Sequence, residues 1–225
     1  MEIANTSDRQ LETLRLYGGL VEEREDWGGG LVLCCGAGSA ASGTPTAVSI
    51  AGGATLVLEG DAVEVKAAMR RGEIDFVVNT LDEALRALKN EVRLHRPLSV
   101  GLIVDVDAAL QEMVGRGVQP DLLMIGANQN AGAFLQDENI RAMQAGGMGL
   151  RRIGRLSNDR YEEVFLPAAN AVELRALDEK VLTVLPNDDL VRSRWIQRVP
   201  KYLREARSGG RWAWLTEEER RQVCG

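Results

Sequence analysis

The 225-residue chain holds one histidine, His95, so no histidine-based triad or multi-histidine metal site can be assembled from it alone. Its three cysteines, two of them adjacent at Cys34 and Cys35, make no disulfide framework, and a reducing cytoplasm is the expected compartment. No apolar run approaches the roughly 18 residues of a membrane span. The first residues lack a basic start followed by an apolar core, which excludes a secretory signal there. Basic residues are also short: 27 against 33 acidic, a net charge of −6. A generic nucleic-acid binder carries the opposite balance. What is plentiful is glycine, 24 residues in clusters near 28–30, 36–43, 52–53 and 146–149. Clustered glycines serve turns, or a backbone that a ligand must approach closely.

Short apolar runs alternate with helical patterns. Residues 8–25 read as a helix with Ser7 as its cap. The runs at 31–35, 54–58, 76–78, 98–104 and 122–125 read as strands, with a sixth at 148–153. Between them, Pro45, Asp61, Thr80 and Asp105 or Asp107 open helices. Continuous apolar strands separated by helices specify an α/β fold with a doubly wound, mostly parallel sheet. After about residue 157 the rhythm stops. The expected organisation is an N-terminal helix (1–27), the α/β unit (28–157) and a helical tail (158–225).

The loop after the first strand reads Gly36-Ala37-Gly38-Ser39-Ala40-Ala41, a form of the G-x-G-x-x-G/A fingerprint. Gly36 permits the turn, Gly38 lets the backbone approach a pyrophosphate, and Ala41 lets the following helix sit close. Glu59 ends the second strand, 21 residues beyond Gly38. An acid there accepts hydrogen bonds from ribose hydroxyls and repels a 2′-phosphate, which favours NAD over NADP. Asn128, with its neighbours Gln129 and Asn130, lies beyond the fifth strand, where an open α/β sheet binds ligands. Asp105 can touch a ribose or cap a helix. No cluster has metal-ligand spacing, and no catalytic residue can be named.

At this loop the chain resembles the cofactor domain of the urocanase (urocanate hydratase) family. Gly36–Pro45, Ile50-Ala51-Gly52-Gly53 and Leu58-Glu59-Gly60-Asp61 follow that family's G-L-G-G-M-G-G-A-Q-P, M-A/N-G-G and V-E-V-D without gaps. Arg96–Leu102 and Arg116–Asp121 resemble its R-P-L-S-I/V-G-L and R-R-G-V-x-P-D. The likeness is close over 28–125 and loose over 175–215. It implies a Rossmann-like fold holding NAD⁺, which in that family acts as an electrophile toward the imidazole ring rather than as a hydride acceptor. By position, Gly38, Ala40 and Glu59 are the cofactor contacts the resemblance implies; with Gly36 and Ser39 of the fingerprint loop and Asp105 and Asn128 beyond the fourth and fifth strands they make up the expected cofactor site. The departures are pointed. Asn130 stands where the family has histidine, Ala213 where it has its active-site cysteine, and Glu64 replaces an arginine. The family's flanking core domain has no counterpart in these residues.

The expected function is therefore an NAD-binding, urocanase-like domain without urocanate hydratase activity. The alternatives are a hydratase or lyase on another substrate, an NAD-dependent oxidoreductase, and an interaction module with an empty pocket. The tail interleaves Arg192, Arg194, Arg198, Arg204, Arg207 and Arg211 with Trp195, Tyr202, Trp212 and Trp214. Arginine beside aromatics suits a single-stranded nucleic acid or a protein interface. The overall acidity and the family likeness select the second, a docking tail that packs on its own domain, on a partner protein or on a second copy of the chain as a homodimer.

Overall fold

The computed structural model describes residues 2–37, 42–125, 136–152 and 160–225. Five strands are numbered as they run: β1 (Leu31–Cys35), β2 (Ala54–Glu59), β3 (Phe76–Val78), β4 (Leu98–Ile103) and β5 (Leu122–Ile125). β6 (Gly149–Arg152) completes a sheet of order β3-β4-β2-β1-β5-β6, parallel at every pairing. The uninterrupted apolar strands are explained by burial on both faces. Along β1, Val32 and Cys34 join one core while Leu33 and Cys35 join the other, and none of the four exceeds 4% exposure.

Helices α2 (Thr44–Ala51) and α3 (Ala62–Arg70) supply the first core, along with α1 (Glu2–Glu23). Helices α4 (Leu81–Arg93), α5 (Val106–Gly115) and α6 (Glu138–Ala145) supply the second. Asp61, Thr80, Asp105 and Asp137 each accept a first-turn amide, so the polar residue before each helix fixes where it starts. The first helix begins earlier than its pattern suggested, and Ser7 lies inside it rather than at its cap. Its mid-helix glycine has a packing reason: a Cβ on Gly19 would stand 3.0 Å from the Nε of Arg151.

Beyond residue 160 the tail does hold helices, α7 (Ala171–Val184), α8 (Leu190–Tyr202) and α9 (Glu217–Cys224), but it also holds two strands. β7 (Glu162–Pro167) and β8 (Gly210–Leu215) pair antiparallel, with Phe165 opposite Trp212 and their rings 5.3 Å apart. The pairing joins segments more than 40 residues apart, so no hairpin signal marks it.

The tail and α1 pack together over one face of the sheet. Tyr17 of α1 lies 5.6 Å from the ring of Trp195 and 6.2 Å from that of Trp214, and its hydroxyl donates to Val191 O. Trp195, Trp214 and Arg211 are buried, and Arg211 pairs with Asp178 at 2.6 Å. Arg194 donates to the carbonyl of Glu25, Arg198 to that of Ile50, and Arg207 to those of Pro200 and Lys201. Of the placements open to the tail, packing on its own domain is the one these contacts form, through Trp195, Trp214, Arg194 and Arg198. None of the described helices is long and apolar enough to cross a membrane.

Burial also decides the thiols. It raises the Cys34 thiol far above its usual range and pushes that of Cys35 up to about 12, whereas Cys224 is exposed. Thiol titration of the native protein with an aromatic disulfide is expected to report one fast-reacting cysteine, and three after denaturation. A second fast thiol in the native state would show that β1 is not buried.

Candidate functional site

β1 leads to α2 on one face of the sheet and β5 leads towards α6 on the other, yet the two strands are neighbours, with Leu33 beside Leu123. Connections that leave in opposite directions open a crevice at the carboxyl ends of such strands. The residues that end β1, β2 and β4 meet there.

Gly36 turns the chain out of β1 with φ 108°, a conformation in which a side chain is strained, and its amide donates to Leu58 O at 2.7 Å. The next amide, Ala37 N–H, donates to Glu59 Oε2 at 2.8 Å, and Asp61 N–H donates to Glu59 Oε1 at 2.9 Å. The Glu59 carboxylate thus joins the loop after β1 to the start of α3. Two amides use half of the roughly four acceptor positions of a carboxylate, so ribose hydroxyls can still be accepted. On the neighbouring strand end, Asp105 Oδ1 accepts Ala108 N–H at 2.9 Å as the cap of α5. The sequence left Asp105 between ribose contact and cap; the cap bond is formed. Gly38, Ser39, Ala40 and Asn128 lie outside the described residues.

The start of α2 is organised by a residue the sequence reading did not single out. Glu73, whose side chain is 2% exposed, follows α3 and directs its carboxylate at the loop. Its Oε1 accepts from Arg9 Nη2 (2.6 Å), Ser42 Oγ (2.8 Å), the Gly43 amide (3.2 Å) and Arg71 Nε (3.3 Å), and its Oε2 accepts from Arg71 Nη2 (3.0 Å). Arg71 Nη2 also reaches Ala37 O at 3.3 Å. One buried carboxylate therefore joins α1, the loop after β1 and the turn after α3. Nothing local signals this, because a charged residue after a turn reads as surface.

At the same helix start, Gly43 is the cap, with φ 83° and no side-chain cap bond, and Pro45 follows in the first turn. The buried hydroxyls of Thr44 and Thr46 find no hydrogen-bond partner among the described residues. The arrangement fits a dinucleotide at its ribose end, where an acid is fixed with acceptor capacity to spare. It also leaves hydroxyl capacity at the first turn of α2. The Gly43 amide is already given to Glu73, so a pyrophosphate would have to draw its amides from the preceding loop. Among the described residues no group of histidine, cysteine and carboxylate side chains could hold a metal ion. Ala213, aligned with the family's cysteine, is buried in β8 opposite Val164.

Residues 11–129 match the model of the urocanase Rossmann-like domain. The match takes in just over half of the chain and runs from α1 past the end of β5, so it includes Gly36, Glu59 and Glu73. The tail falls outside it.

Proposed function

This chain belongs to the urocanase family through its Rossmann-like domain, and from that premise we propose that it binds NAD⁺ in the crevice beyond β1, β2 and β4 without hydrating urocanate. The observation that carries the reading is Glu59, held at the end of β2 by the amides of Ala37 and Asp61. A carboxylate fixed there orders the adenosine ribose by accepting its hydroxyls, and its charge opposes a 2′-phosphate. Gly36 sets the turn that brings the loop backbone close. In the proposal Gly38, Ser39 and Ala40 present amides to the pyrophosphate, while Asn128 and Asp105 face the same crevice from the ends of β5 and β4. Bound NAD⁺ would supply an electrophilic pyridinium ring. The side chains that turn this to urocanate hydration in the family are replaced here by Asn130 and Ala213, so the proposal is cofactor binding without that reaction.

Calorimetric titration of the whole protein tests it. NAD⁺ is expected to bind, and NADP⁺ to bind more weakly. Hydrogen bonds to a charged group are worth about 1.5–3 kcal/mol, so Glu59→Ala is expected to weaken NAD⁺ by about tenfold to a hundredfold and to reduce the discrimination against NADP⁺. Urocanate incubated with the NAD⁺-saturated protein is expected to keep its ultraviolet absorbance. No heat at millimolar NAD⁺ rejects the cofactor, unchanged affinity in Glu59→Ala rejects the ribose assignment, and measurable urocanate turnover rejects the loss of activity.

A further inference from the structure

At the opposite end of the sheet, α4 and the turn between α5 and β5 enclose a groove of about 830 Å³. Leu31, which opens β1, and Val118, which precedes β5, place it at the amino ends of the strands, away from the crevice. Leu85, Leu88 and Val92 of α4 complete an apolar floor. A hollow of this size with an apolar lining is of the kind that takes a ligand or a partner's side chains.

The rim is charged, and unevenly. Arg86, Lys89 and Arg93 are exposed and follow one another at spacings of three and four along α4, so they share a face over roughly 10 Å of helix. Arg86, Lys89 and Arg93 make no ion pair among the described residues, although Arg86 is near enough to the exposed Glu83 to lower its carboxyl slightly. The carboxylates on the same rim are engaged. Asp82 pairs with Arg116 at 2.5 Å, and Asp121 accepts the Leu31 amide at 2.7 Å and stands 3.6 Å from Arg24. In a chain of net charge −6 the groove thus has a row of three cations without an ion pair, two of them with no carboxylate partner, beside an apolar floor. Like charges at these spacings destabilise the helix that bears them, a cost that an anionic occupant would relieve.

The distribution of charge selects the occupant. A second copy docking α4 against α4 would set cation row against cation row. A small amphiphile carries one head group, whereas here the cations are spread along the groove. The geometry points to a docking site for an acidic amphipathic helix of a partner protein. Its apolar stripe would lie on Leu85, Leu88 and Val92, and its carboxylates, at helical spacing, on Arg86, Lys89 and Arg93. This surface is independent of dinucleotide binding.

A fluorescently labelled synthetic helix about four turns long, with leucines on one face and glutamates flanking them, is the probe, and a twin with lysines for the glutamates is its control. By fluorescence anisotropy on the whole protein, the glutamate peptide is expected to bind, with affinity falling as salt rises, and the lysine twin not to bind. The double variant Lys89→Glu/Arg93→Glu is expected to weaken the glutamate peptide by about tenfold and to gain affinity for the lysine twin. Both positions are exposed, so the variant's melting temperature should match the wild type's. The proposal is overturned if neither peptide binds, if both bind alike, or if the variant binds the glutamate peptide undiminished. Saturable binding of dodecanoate in place of the peptide would overturn it in favour of a small amphiphile. A dimer in solution that the double variant abolishes would overturn it in favour of a second copy.

Discussion

Glu73→Ala is expected to lower the melting temperature by about 10 °C and to weaken NAD⁺ binding in the same variant. The Glu73 side chain is 2% exposed and stands between Arg9 (15%) and Arg71 (32%). Removing one partner of a buried ion pair costs about 3–5 kcal/mol where the remaining charge is left uncompensated, and less where it keeps another interaction, as Arg9 does. Arg71 is partly solvated and its share is discounted, which places the expectation near the lower bound. For a domain of this length each kcal/mol shifts the melting temperature by about 2–4 °C, hence the figure above. The effect on binding follows from the other bonds: Ser42 and the Gly43 amide, immediately before α2, lose their acceptor, and Arg71 loses the anchor that holds it against Ala37 O. Arg71→Met separates the two consequences. It removes the bond to Ala37 but leaves Glu73 paired with Arg9, so it should weaken NAD⁺ with a smaller loss of stability. Calorimetric melting and NAD⁺ titration of the three proteins decide the matter. Wild-type melting in Glu73→Ala would show that the carboxylate is not buried as described, and unchanged NAD⁺ affinity in both variants would detach the cluster from the crevice.

This cluster shows why the crevice was only half legible in the sequence. Gly36 and Glu59 belong to one β-α-β unit, where the turn needs a glycine and the second strand ends in an acid at a fixed distance. That relation is local and survives in a linear reading. The strands were legible for the same reason: β1 and β2 are buried on both faces, so their composition is uniform. Glu73 was not legible, because its partners come from positions 9, 42, 43 and 71 and meet only when the sheet has formed. The tail was ambiguous for a related reason. Arginine and tryptophan interleave in an interface and in a segment folded back on its own chain alike. The packing on its own chain becomes visible only in the contacts of Trp195 and Trp214 with Tyr17, and of Arg211 with Asp178. Asp105 lies between these cases, since a cap and a ribose contact ask for the same residue at the same strand end.

The second large effect is expected at Arg192, and it depends on pH. Arg192 is 4% exposed and lies between two carboxylates: its Nε donates to Asp189 Oδ2 at 2.6 Å, and its Nη1 and Nη2 donate to Glu219 at 2.5 and 2.9 Å. Its guanidinium also lies over the ring of Tyr161 and donates to Trp214 O at 3.2 Å, so it ties α8 to β8 and α9. Arg192→Met keeps much of the volume but leaves both carboxylates uncompensated, for which about 3–5 kcal/mol is the expected loss at neutral pH. Burial by itself raises the Glu219 carboxyl, but the hydrogen bonds from Arg192 and from the Thr216 amide outweigh it and hold the group below the usual carboxylate range. A carboxyl lowered by folding binds fewer protons in the native than in the unfolded chain. Its contribution is therefore present above the unfolded value, near pH 4, and is lost as pH falls through the lowered folded one. In Arg192→Met the strongest lowering partner is gone while burial and the Thr216 bonds remain, so Glu219 takes up its proton at higher pH than in the wild type. Protonation removes the uncompensated charge. The gap in melting temperature between wild type and Arg192→Met should accordingly be widest near neutral pH and narrow towards pH 4. Calorimetric scans of the two proteins across that range measure it. A gap that stays constant as the pH falls would mean that lost packing, not the stranded carboxylates, accounts for the destabilisation.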